Sequence, residues 1–153
     1  MKICFVLNKI ETEKPATSVA LMTKAHTKGH EVYVMGVGGF NFESGGIITL
    51  NTKQVPTGVS TKSPKNYLEL LQSPKAKNKI IVSTDLDVLF IRNNPTEEGA
   101  SRHWAEQSGI AFGRMIQQQG VLVLNDAYAL SNAFIDKLYF EELPKSIKPA
   151  SII

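Results

Sequence analysis

Apolar positions along this chain fall into short, dense runs, and longer stretches with helical spacing separate them. Residues 2–8 are apolar and β-rich, which predicts a strand covered on both faces. Pro15 then stands where a first helical residue would, and Val19, Met22 and His26, with Leu21 and Ala25, recur at helical spacing. Gly29 predicts the stop. A second strand is predicted over Glu31–Val37, where Val32, Val34 and Val37 are β-branched. Residues 38–65 are rich in glycine, threonine and proline and hold a small strand at Ile47–Leu50, and a short helix follows at Tyr67–Gln72.

Asp85–Arg92 predicts a third buried strand. From Glu97 to Gln119 the spacing predicts the longest helix, with Trp104, Ser108, Ala111, Phe112, Met115 and Ile116 on its apolar stripe. Gly120 closes that helix, and Val121–Leu124 predicts a fourth strand ending at Asn125 and Asp126. Two short helical segments follow, broken near Asn132, the last being Asp136–Leu143. Strands alternating with helices imply an α/β fold with a Rossmann-like parallel sheet flanked by helices. Ligands of such sheets bind at the carboxyl ends of strands, here Asn8, Val37, Arg92 and Asn125.

Composition narrows the classes. A length of 153 residues, 42% hydrophobic and 20% charged, suits one globular domain, alone or with a short extension, and argues against disorder. The single cysteine, Cys4, removes a disulfide framework and a cysteine zinc site, and within a strand it reads as an inert small hydrophobe. His26, His30 and His103 form no pair at metal-ligand spacing, so no metal is expected. No apolar run reaches about 18 residues, and the amino terminus reads as a strand rather than a signal peptide, so no membrane partner is expected and the compartment is taken as cytoplasmic. The net charge is +3, and Lys62, Lys65, Lys75, Lys77 and Lys79 cluster with only Tyr67 among them. That pattern reads as a solvated connecting segment and not as a nucleic-acid surface.

Known phosphate motifs are missing. The first strand–helix turn, Asn8–Glu13, carries no glycine, and Gly36, Gly38 and Gly39 follow the second strand without the third spaced glycine. Glu97 and Glu98 suit a helix amino terminus, and Asp85 and Asp87 read as solvated. Arg92 differs, because a guanidinium at the carboxyl end of a central strand is a planar fork for a carboxylate. It either contacts substrate or pairs with a neighbouring acid.

The ordered set Met1-Lys2-Ile3 through Ile10-Glu11, Gly29-His30-Glu31-Val32, Asp87–Arg92 with Pro95, Gly120–Asn125 and Asp136-Lys137-Leu138 resembles the N-terminal, pre-ATP-grasp domain of bacterial glutathione synthetase and RimK-type ligases. The likeness covers nearly the whole chain except about 51–80. Asn8-Lys9 stands where those synthetases tend to carry Asp-Pro, and Arg92-Asn93-Asn94-Pro95-Thr96 where they carry Arg-x-Asp-Pro-Pro. The resemblance implies a pre-ATP-grasp substrate domain at 1–125 and, at 126–153, a helical linker and the start of the ATP-grasp domain.

It further implies an ATP-dependent carboxylate–amine ligase working through an acyl phosphate, with ATP and magnesium as cofactors of the full-length enzyme. Arg92, Asn93, Asn8 and Asn125 would bind substrate, and Lys137 would reach an ATP phosphate or pair with Asp136 or Glu141 on its own helix. Implied partners are small acid and amine substrates, the chain's own C-terminal ATP-grasp domain, and further subunits, as this family's enzymes are often oligomeric. The second lysine, nucleotide clamp and metal ligands of such ligases lie downstream of this domain. The 153 residues alone are therefore expected to bind ATP weakly, with no cofactor of their own, and not to catalyse. The alternative is a free-standing binding or scaffolding module with the same fold.

Overall fold

The computed structural model describes residues 1–61, 63–94 and 102–132. In chain order the elements are β1 Lys2–Leu7, α1 Thr17–Thr27, β2 Glu31–Gly36, β3 Phe40–Phe42, β4 Ile48–Gln54, α2 Pro64–Gln72, β5 Lys77–Val82, β6 Val88–Ile91, α3 His103–Gln118, β7 Leu122–Leu124 and α4 Ala127–Asn132. Lys62, Pro95, Glu97, Glu98, Lys137 and the helix expected at Asp136–Leu143 lie outside the described residues.

Strands β2, β1, β6 and β7 lie side by side and parallel, with Phe5 opposite Val34 on one side and Phe90 on the other. This is the expected Rossmann-like parallel core. Alternate residues of β1 enter opposite hydrophobic clusters. Phe5 and Leu7 meet Val19 and Met22 of α1 and Tyr67, Leu68 and Leu71 of α2. Cys4 and Val6 face the other way, with Leu89, Ile91 and Val123 and with Ala105 and Ile116 of α3. Helices on both faces explain why β1 reads as a continuous apolar run, each large side chain contributing about 1.5–3 kcal/mol on burial. Burial also pushes the Cys4 thiol well above its ordinary range, so it stays protonated and unreactive.

The sheet is mixed beyond β2. Strand β4 pairs antiparallel with β3 through Ile48–Leu50 and with β2 at Lys53, while β5 pairs along its other edge from Thr49 to Gln54. The lysine-rich stretch expected as a connecting segment is therefore in part a strand. Lys77, Asn78, Lys79 and Ile80 are all exposed, so β5 shows no alternation a sequence could reveal. Its backbone pairing with β4 makes it a strand, and of its residues Ile81 packs against the core.

Other expectations are corrected. Helix α1 begins at Thr17 after an extended Ala16 with no side-chain cap, so Pro15 is not its first residue. Its end is as expected: Gly29 has φ 81°, and the Gly29 and His30 amides donate to the His26 and Ala25 carbonyls. Asp87 is not merely solvated, since its Oδ2 accepts from the Lys2 amide at 2.7 Å.

The buried row of α3 is Ala105, Gly109, Ile110, Gly113 and Ile116, whereas Trp104, expected inside, is 57% exposed and Ser108 is not buried. Two glycines cause the rotation. A Cβ on Gly113 would stand 2.5 Å from Ile91 Cδ1, so their absence lets α3 lie close on β6. No helix among the described residues is long and apolar enough to cross a membrane.

Candidate functional site at the carboxyl end of the sheet

The exit of β6 is held from both sides by carboxamides. On the β1 side, Asn8 Nδ2 donates to the Asn94 carbonyl and Asn8 Oδ1 accepts from the Asn94 amide, both at 2.7 Å. On the β7 side, Asn125 Nδ2 donates to the Ile91 carbonyl at 3.1 Å. Between these ties the Arg92 amide donates to the Val6 carbonyl at 2.8 Å, prolonging the β1–β6 pairing by one residue. An asparagine side chain offers one acceptor and two donors, which is the set needed to copy a neighbouring strand. Asn8 and Asn125, expected to meet substrate, thus have partners within the fold that fix where Arg92 emerges.

Strand alternation continues past Ile91 and sends the next two side chains to opposite faces. Arg92 goes to the α1 face, where its Nε donates to Ser18 Oγ at 3.2 Å. Its guanidinium carbon lies 5.9 Å from the Phe90 ring centroid, and Phe90 stacks on Phe5 at 5.3 Å. Arg92 is half-buried, and among the described residues no carboxylate pairs with it. The neighbouring acid that sequence reasoning left open is therefore not found among them.

Asn93 goes to the α3 face, where its Oδ1 would be 2.5 Å from a Cβ on Gly109. Both of its amide atoms are buried without a hydrogen-bond partner among the described residues. The sheet therefore separates Arg92 from Asn93, and the two do not form one contiguous patch. Val37, another strand-end position, is buried at the start of a short turn.

Sequence reasoning missed Ser18. It sits in the first turn of α1, 74 residues before Arg92, and only the fold brings the two together. Two carboxylates in the loops after β1 and β7 are held in their charged form by local contacts. Glu11, in the loop after β1, is held below the ordinary carboxylate range, first by a hydrogen bond from its own backbone and then by Lys53, whose Nζ lies 3.3 Å away. Asp126 is likewise lowered, chiefly because its carboxylate accepts from the Ala129 amide at the start of α4 and then from Gln117.

No group of three or more His, Cys, Asp or Glu side chains able to hold a metal occurs among the described residues. Nor does the Asn8–Glu13 turn supply the glycines that let backbone amides cradle a phosphate. Neither of these two arrangements is therefore found among the described residues, whereas Arg92 carries a planar donor fork of the kind that pairs with a carboxylate.

A family profile described as prokaryotic glutathione synthetase, N-terminal domain, matches residues 1–130. Comparison with curated proteins finds no match.

Proposed function

The chain belongs to the family of prokaryotic glutathione synthetase N-terminal domains, and we propose that it is the acid-substrate-binding part of an ATP-dependent carboxylate–amine ligase. One observation carries this proposal: Arg92, a half-buried residue, emerges between two carboxamide ties with no carboxylate partner among the described residues. A cation with no carboxylate bound to it among the described residues favours a ligand that supplies one, and its planar donors match a carboxylate.

The domain's contribution to ligation is positioning. A carboxylate fixed by Arg92 at the sheet's rim becomes part of a unimolecular arrangement once the reacting partner is presented. ATP, magnesium and the contact from Lys137 belong to nucleotide binding in the complete enzyme, and the 153-residue chain alone would not ligate. Small acid and amine substrates, the ATP-grasp half and further subunits are the partners of this proposal, with the cytoplasm as its compartment.

γ-Glutamylcysteine is the first probe, because the family's name points to the synthesis of glutathione. In an NMR titration of the 153-residue chain, saturable shifts are expected at Arg92 and Ser18, with smaller ones at Asn8 and Asn94. Saturation with no change around Arg92 would contradict the proposal, as would the absence of binding at millimolar peptide.

A further inference from the structure

A guanidinium has two edges that can grip a carboxylate with paired hydrogen bonds. The side edge uses Nε and one Nη, and the end edge uses both Nη atoms. In Arg92 the first edge is engaged, because Nε donates to Ser18 Oγ at 3.2 Å. Ser18 is only 9% exposed and belongs to the first turn of α1, so its hydroxyl is delivered by a packed helix and not by a mobile loop. Beneath the guanidinium lies the Phe90 ring, itself stacked on Phe5 in the core. The backbone of Arg92 is tied to Val6. The hydroxyl, the ring and the backbone tie together restrain a side chain that would otherwise sample many rotamers.

We propose that Ser18 is a positioning residue: by holding Nε it makes Arg92 present its end edge, so that the site selects ligands whose carboxylate docks on both Nη atoms. The inference rests on Arg92 being the carboxylate receptor. Ser18 does not touch the ligand, and its effect passes through the orientation of the fork. Loss of its hydroxyl leaves Nε without an ordered acceptor and restores torsional freedom to Arg92, which the ligand must then remove on binding.

The experiment compares γ-glutamylcysteine affinity by calorimetry in wild-type chain, Ser18→Ala, Ser18→Thr and Arg92→Lys, together with exchange of the Arg92 Nε–H by NMR. Ser18→Ala is expected to bind about threefold to tenfold more weakly, the scale of one immobilised side chain, with an unchanged melting temperature. Ser18→Thr, which keeps the hydroxyl, should bind within about twofold of wild type, and Arg92→Lys should bind more weakly than any. Exchange of the Nε–H should accelerate in Ser18→Ala whether or not threonine fits the site.

Wild-type affinity in Ser18→Ala alongside weakened Arg92→Lys would overturn the role of Ser18 and leave the carboxylate receptor standing. Unchanged Nε–H exchange in Ser18→Ala would also overturn it. Wild-type affinity in Arg92→Lys would remove the receptor and the role of Ser18 with it.

Discussion

Asn8 and Asn94, 86 residues apart, exchange two hydrogen bonds of 2.7 Å, side chain to backbone in both directions. The pair joins the exits of β1 and β6, the central strands of the parallel core. Asn8→Ala should lose both of these bonds, at a cost of about 1–3 kcal/mol. For a chain of this size the melting temperature should fall by roughly 2–4 °C per kcal/mol. A thermal melt indistinguishable from wild type would show that the pair contributes nothing.

Gly113→Ala tests the close approach of α3 to the sheet. In an open helix alanine gains up to about 1 kcal/mol over glycine. Here the new Cβ would lie 2.5 Å from Ile91 Cδ1 and 3.2 Å from Ala127 Cβ, both in the core. Overpacking of about 1–3 kcal/mol should outweigh the propensity gain. Denaturant unfolding should therefore show a less stable variant, and a more stable one would refute the packing account.

Tyr67 carries a fully buried hydroxyl without a hydrogen-bond partner among the described residues, 5.5 Å ring to ring from the buried His26. Burial pushes its phenol far above the ordinary range. Tyr67→Phe should keep the ring's packing and remove the unsatisfied group, leaving stability unchanged or raised by about 1 kcal/mol. A loss of more than about 1 kcal/mol would reveal a partner for that hydroxyl.

Glu11 and Asp126 both have lowered folded-state pKa values, so the unfolded chain binds protons more readily. Their contribution is present in full above the ordinary carboxylate range and is lost as pH falls through the lowered values. Stability measured from about pH 7 down to pH 2 should decline on this acid limb. The decline should be shallower in the double variant Glu11→Gln, Asp126→Asn, and an identical acid limb would contradict the assignment.

The sequence exposed those parts of the fold whose burial leaves a periodic trace. Strand β1, buried on both faces, is an unbroken apolar run, and Gly29 marks the end of α1 through its positive φ. Strand β5 left no trace because its first four residues are exposed and its place in the sheet comes mainly from backbone pairing with β4. The face of α3 was misjudged because Gly109 and Gly113, which decide it, carry no side chain for a hydrophobic pattern to register.

At the site, the rule that ligands gather at strand carboxyl ends placed Asn8, Arg92, Asn93 and Asn125 at the sheet's rim. It gave no means of separating a receptor from a tie. Asn8 and Asn125 form backbone ties, and Arg92 and Asn93 part to opposite faces. Ser18 was invisible because a serine in a first helical turn has no sequence mark of a partner 74 residues away.

The central claim is that Arg92 receives a substrate carboxylate, and calorimetry of γ-glutamylcysteine with wild-type chain and Arg92→Lys tests it most directly. Lysine keeps the positive charge and loses the planar fork, so affinity should fall by about tenfold or more, equivalent to about 1.4 kcal/mol or more, while the melting temperature holds. Equal affinity in the two proteins would contradict the claim.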